Sequence, residues 1–317
     1  MFIDRLIEKI KLKNNPSIAG LDPRIEFIPQ FIKEKNFNNY GRNLKGASEA
    51  IFEFNKILID SIYDLVPAIK LQSACYELYG SFGFDILKQT IDYGHEKDLI
   101  VILDGKRNDI LSSANAYSSA FLGKTLIDDG IYESVFNADA LTVNPFLGFD
   151  GIKPFIDDCK NFGKGIFILV KTSNKSSGQI QDLLTHQGKS IYEIVAEYVN
   201  DWGKTLIGKN GYSCIGAVVG ATYPNQAKIL RSILKCAYIL VPGYGTQGGT
   251  AKDVAHSFNS NGLGAIVNAS RSIMYAYASD IWKDKFTENN FGDAARAEVI
   301  RMRDDINKEL GAKTICP

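Results

Sequence analysis

Eight short runs rich in Ile, Val, Leu and Ala recur along this chain, at residues 17–21, 66–71, 99–103, 140–143, 165–170, 214–219, 238–241 and 265–267. Stretches with helical patterning separate them. Strand-length apolar runs alternating with helices predict a parallel sheet covered by crossover helices, because a parallel strand is buried on both faces and shows no polar alternation. Eight such units match a (β/α)8 barrel, the α/β class known as the TIM barrel. A doubly wound open sheet would need fewer strands, and no G-x-G-x-x-G turn follows the first run. The 317 residues exceed an average domain but fit one large barrel. A single domain over 1–317 is therefore expected, with extra helix or loop inserted at 24–46 and 274–294 and a longer helical pattern over 187–211 than one barrel helix needs.

Polar, glycine and proline residues gather just past each run: Asp22-Pro23, Gln72-Ser73, Asp104-Gly105, Asn144-Pro145, Lys171-Thr172-Ser173, Gly220-Ala221-Thr222, Pro242-Gly243 and Asn268-Ala269-Ser270-Arg271. In a barrel these positions share one face, the C-terminal ends of the strands, where barrel enzymes carry their sites. Composition narrows what that site handles. Lys plus Arg and Asp plus Glu both number 36, so no net charge points to nucleic acid or an anionic membrane surface. No apolar run approaches the ~20 residues of a membrane span, and Asp4, Arg5 and Glu8 interrupt the N-terminal segment. A small-molecule substrate is expected. Cys75, Cys159, Cys214, Cys236 and Cys316 are odd in number and widely spaced, which fits a reducing cytosol and neither a disulfide framework nor a thiolate metal site. His95, His186 and His256 each stand alone, so histidine-based metal or triad chemistry is not expected.

The sharpest motif is Leu103-Asp104-Gly105-Lys106-Arg107-Asn108-Asp109-Ile110, at the end of the third run. In an extended segment Asp104 and Lys106 point the same way about 7 Å apart, so the ammonium reaches back toward the carboxylate. Asp109 falls near the start of the next helix, where the helix dipole tolerates an acid. Lys70 ends the neighbouring second run, giving an alternating Lys-Asp-Lys-Asp array. Such an array suits a site that places an anion beside a buried carboxylate while a cationic acid stands ready to donate a proton. A structural ion-pair network is the competing reading; the strand-end position of every member favours chemistry. Downstream, residues 242–249 hold four glycines, which free the backbone to approach a phosphate, and Arg271 on the following loop offers a bidentate fork for the same dianion. Barrels of this kind commonly bind phosphate after strands seven and eight.

The Asp-x-Lys-x-x-Asp-Ile motif, Gly20-Leu21-Asp22-Pro23 and Pro242-Gly243-Tyr244-Gly245-Thr246-Gln247-Gly248-Gly249 together resemble orotidine 5'-phosphate decarboxylase, in its longer subfamily of some bacteria and apicomplexan parasites. The resemblance spans residues 17–273 and implies decarboxylation of orotidine 5'-monophosphate to UMP, without cofactor or metal, in a cytoplasmic homodimer with shared sites. It implies a catalytic tetrad of Lys70, Asp104, Lys106 and Asp109, the last given across the dimer interface, with Lys106 protonating C6 of the pyrimidine. It implies that Asp22 holds the ribose, that Ile110 and Ser113 reach the neighbouring subunit's ligand, and that Thr172 and Ser173 read the base. Gln247 would bridge base and phosphate, beside Pro242, Gly248, Gly249 and Arg271. Gln72 stands where the subfamily often has Asn, and Ser113 where it often has Thr. Two other readings remain: a Mg-dependent sugar-phosphate decarboxylase or aldolase of the same superfamily, and a non-catalytic barrel that binds nucleotide phosphates.

Overall fold

A computed structural model describes residues 1–311. Its strands are β1 (Ser17–Leu21), β2 (Ala68–Gln72), β3 (Ile100–Arg107), β4 (Thr125–Asp128), β5 (Ile131–Glu133), β6 (Ala140–Val143), β7 (Gly165–Lys171), β8 (Ser213–Val219), β9 (Ala237–Pro242) and β10 (Ala265–Ala269). Eight of them close a parallel barrel in the order β1, β2, β3, β6, β7, β8, β9, β10, with β10 pairing back onto β1. The eight apolar runs are those eight strands. Every residue of β8 is buried, as a strand covered on both faces requires.

The end at which the strands begin is plugged by the helix Phe2–Lys13, which buries Phe2, Ile3, Leu6, Ile7 and Ile10. Phe2 meets Phe167 of β7 edge-on at 6.0 Å between ring centroids. This close approach explains Gly165: a Cβ there would lie 2.2 Å from the Phe2 ring. The C-terminal ends of the strands lie at the opposite end of the barrel.

The insertions differ in kind. Residues 24–46 carry the extra helix Gln30–Tyr40, as expected. Residues 274–294 hold two short 3-10 turns, Ala276–Ala278 and Glu288–Asn290, leading into the helix Phe291–Glu309. That helix packs on Leu44–Ile62, with Phe54 and Phe291 stacked at 4.8 Å. Residues 187–211 do not form the long helix their pattern predicts. The helix is only Ile191–Gly203, started by a capping box between Ser190 and Glu193 and flanked by the isolated bridges Leu184 to Ser190 and Ile207 to Ser213. The hairpin of β4 and β5 is absent from the strand pattern of the sequence because its residues are mostly exposed. Its turn residues Asp129-Gly130, with Gly130 at φ 73°, are the signal that could have found it.

Candidate active site

The motif segment is strand, not loop: β3 runs through Asp104, Gly105 and Lys106 to Arg107. Its pairing with β6 loses register between Leu103 and Arg107, and Lys106 takes a left-handed φ of 47°. A non-glycine residue there costs roughly 1–2 kcal/mol, so the surroundings must hold it. Arg107 anchors the far side of the bulge, donating to the carbonyl of Gly105 and pairing with Glu77. The kink does not separate the charged groups.

Lys106 Nζ lies 2.7 Å from Asp104 Oδ1, and Lys70 Nζ lies 3.1 Å from Asp104 Oδ2 and 3.3 Å from Asp22 Oδ1. Three of the four expected tetrad residues thus form one connected array. Burial alone would push the Lys70 ammonium toward neutrality, but the carboxylates of Asp22 and Asp104 outweigh it and its pKa rises. Burial likewise works to protonate Asp104. Lys70, Lys106 and the Thr142 hydroxyl overcome it and hold the carboxyl well below the usual carboxylate range. Both groups are charged at neutral pH.

This array floors a cavity of about 800 Å3, within the size range of small-molecule sites. Asp22, Lys70, Gln72, Asp104, Lys106, Thr172, Ser173, Pro242, Gln247 and Arg271 all line it. Its charged lining comprises Arg24, Lys70, Lys106 and Arg271 against Asp22 and Asp104, a surplus of cations suited to an anionic ligand. At the β7 end, Gln181 accepts from the Thr172 N–H at 3.0 Å and donates to its hydroxyl at 2.9 Å, while that hydroxyl donates to Asn174 at 2.6 Å. Neither Thr172 nor Ser173 caps a helix; Asn174 precedes the 3-10 turn Lys175–Ser177.

Five expected site residues lie elsewhere. Gly248 and Gly249 line a second cavity of about 470 Å3 behind their loop, together with Tyr244 and Arg301. Their N–H groups close the loop on itself, Gly248 onto the Gly245 carbonyl and Gly249 onto that of Gly243. A Cβ on Gly249 would sit 2.5 Å from that of Ala221, so this glycine is needed for packing. Asp109, Ile110 and Ser113 line neither cavity: Asp109 accepts from its own neighbour's N–H, and Ile110 is 61% exposed. Cys75, Cys159, Cys214 and Cys236 are free, and Cys316 lies outside the described residues. Among the described residues no group of three or more His, Cys, Asp or Glu side chains is placed to hold a metal ion.

Some lining residues give no signal in the sequence. Leu169, Val218 and Leu240 form an apolar wall and read as ordinary strand positions. Thr142 sits inside the apolar run of β6, yet its hydroxyl donates to Asp104 at 2.7 Å. Gln181 lies on the short helix Gly178–Gln181, which has no strand-end position to mark it.

Known proteins share this fold and much of this sequence. A family model described as orotidine 5'-phosphate decarboxylase / HUMPS family matches residues 50–280. The orotidine 5'-phosphate decarboxylase of Caldicellulosiruptor saccharolyticus is 47% identical over 283 residues, covering 89% of this chain and 92% of that protein. That of Clostridium tetani is 41% identical over 313 residues, 99% of this chain and 100% of the other. The solved OMP decarboxylase of Leishmania donovani superposes with a TM-score of 0.72 at 28% identity, covering 98% of each chain. With matches of this extent laid over a closed barrel and its Asp-Lys array, the chain belongs to the orotidine 5'-phosphate decarboxylase / HUMPS family.

Proposed function

We propose that this chain converts orotidine 5'-monophosphate to UMP and CO2 with Lys70, Asp104 and Lys106 as its chemical groups. The connected array at the cavity floor carries the reading. The pyrimidine carboxylate would sit beside Asp104 and against the apolar wall of Leu169, Val218 and Leu240. As the bond from C6 to the carboxyl carbon breaks, its electron pair stays on C6 and CO2 leaves neutral. Lys106 stabilises that charge and transfers its ammonium proton to C6, then regains a proton from solvent. Repulsion between Asp104 and the substrate carboxylate is relieved in the same step. Lys70, held charged by Asp22 and Asp104, keeps the carboxylates ionised and fixes Asp22 beside the ribose.

Arg271 and Gln247 hold the phosphate at the β9 and β10 end, and Ser173 presents its hydroxyl to the base while Thr172 is held by Gln181. The loop glycines Gly248 and Gly249 give the phosphate loop its shape. Lowering a barrier by ~8–23 kcal/mol exceeds what the charged array supplies alone, so phosphate binding remote from C6 contributes. Asp109, Ile110 and Ser113 complete the site of a second copy in a two-fold dimer. The exposure of Ile110 and Leu111, at 61% and 60%, supports that placement. Among the described residues no helix is long and apolar enough to cross a membrane, and the cysteine pattern favours the cytoplasm.

The direct experiment follows the absorbance change of orotidine 5'-monophosphate with purified protein, before and after exhaustive chelation. Turnover that survives chelation is expected; activity lost to chelator and restored by Mg2+ would favour the sugar-phosphate reading. For the shared site, inactive Lys106→Ala and Asp109→Ala proteins are mixed under subunit exchange. The heterodimer holds one site free of both lesions, so part of the activity should return. Mixed dimers that form and stay inactive would remove Asp109 from the partner's site.

A further inference from the structure

Thr142 is 1% exposed, lines the main cavity, and uses its hydroxyl both as donor and as acceptor. It donates to Asp104 Oδ1 at 2.7 Å and accepts the backbone N–H of Lys106 at 2.9 Å. The second bond falls where the β3 to β6 ladder is interrupted, between Leu103 and Arg107. A side chain thus replaces a missing ladder acceptor at the bulge, on the one residue of the motif held in left-handed conformation. The first bond fixes the carboxylate plane: Oδ1 receives Thr142 and Lys106, and Oδ2 receives Lys70.

We infer that Thr142 is a positioning residue of the decarboxylation site, a bracket from β6 that sets the Asp104 carboxylate and the Lys106 backbone together. The inference rests on the reaction proposed above and adds a group to it. Asp104 does its work only if it stays aimed at the substrate carboxylate despite like-charge repulsion. A carboxylate held by two ammonium groups alone can turn about its last side-chain bond; a neutral donor from a rigid strand resists that turn. The same oxygen, by accepting from Lys106, holds the strained backbone that carries the proton donor. A single hydroxyl therefore couples the two groups that must meet at C6.

Thr142→Val keeps the shape and removes the hydroxyl, whereas Thr142→Ser keeps the hydroxyl. Misplacement of a reacting group by about 1 Å costs up to ~10^2 in rate, so Thr142→Val should lose roughly 10- to 100-fold in kcat with KM within about threefold of wild type. Thr142→Ser should retain kcat within about threefold, and the crystal structure of Thr142→Val should show the Asp104 carboxylate turned or the Lys106 backbone displaced. If Val proves insoluble, Thr142→Ala reads out the same loss. An unchanged kcat in the Val or Ala variant, a Ser variant as damaged as Val, or unmoved Asp104 and Lys106 in the variant structure would overturn the inference. Wild type inert toward orotidine 5'-monophosphate would instead sink the proposed reaction, and the structural comparison would still decide the bracket.

Discussion

Each end of the barrel holds an aspartate at the centre of a hydrogen-bonded network. At the closed end Asp139 takes Arg5 at 2.7 Å and His95 at 2.9 Å, and accepts the Val101 N–H at 2.9 Å. At the open end Asp104 takes Lys106, Lys70 and Thr142. In both, hydrogen bonds and nearby positive charge hold the carboxyl below its ordinary range. What differs is what each network holds together. Asp139 fastens the N-terminal plug to β3 and to the helix Gly80–Glu96. At the other end Lys106 has one carboxylate partner and 43% of its side chain open to the cavity. Arg5 is also half-exposed and lines a hollow of about 620 Å3, so exposure alone does not separate the two ends; the Asp139 network ties the plug, β3 and a helix together, whereas the Asp104 array lines the cavity at the strand ends. This matches the general division of labour between the two faces of such barrels.

The contrast is tested hardest at Lys106. Lys106→Ala should reduce kcat by roughly 10^3-fold or more, through loss of the proton donor and of charge at C6. Its thermal midpoint should stay near that of wild type, because the side chain projects into the cavity. Near-normal turnover in the folded variant would sink the mechanism, and gross unfolding would mean that this end is structural as well.

Arg271 sharpens the division within the open end. A charge-assisted phosphate contact in a desolvated site is worth roughly 2–5 kcal/mol on truncation, so Arg271→Ala should depress kcat/KM by about 10^2 or more. The slow decarboxylation of a substrate lacking the phosphate should barely change, and measuring both substrates with both proteins closes a thermodynamic cycle. Equal losses on the two would show Arg271 supporting the array or the fold, and the phosphate assignment would fall.

The sequence is most readable where strand ends carry the signal. Asp22, Lys70, Asp104, Lys106 and Arg271 each lie at the end of an apolar run or within a few residues past it, and all five reach one cavity. Thr142 and Asp139 were not legible for a common reason: each acts through a partner far along the chain. Thr142 bonds Asp104, 38 residues away, and Asp139 bonds Arg5, 134 residues away. A threonine within Leu141-Thr142-Val143 reads as an ordinary β-former, since nothing local marks its hydroxyl. Phe2 and its neighbours have helical spacing, but that spacing does not say which end of the barrel the helix covers. Asp109, Ile110 and Ser113 line neither cavity of the single chain, so their role rests on the proposed second copy.

Asp139 gives the smaller, opposite test. Replacing it with Asn keeps the size and removes the charge from Arg5 and His95. Loss of a buried charged partner, tempered by the half-exposed Arg5, should cost roughly 2–4 kcal/mol and lower the thermal midpoint by roughly 3–6 °C. Turnover of the folded fraction should stay at the wild-type value, since Asp139 lies at the opposite end from the array. Burial works to raise the Asp139 carboxyl, but His95, Arg5 and the Val101 N–H overcome it and bring it down to about 2. A group depressed in the folded state stabilises above its unfolded pKa and loses that stabilisation as pH falls through the folded value. The advantage of wild type over Asp139→Asn should therefore be full above about pH 5 and shrink by ~2–3 kcal/mol on acidification toward pH 2. Urea unfolding of the two proteins at a series of pH values measures it. A gap that stayed constant down to pH 3 would mean that Asp139 holds the plug by shape and neutral hydrogen bonds, and the parallel between the two ends would be one of geometry without charge.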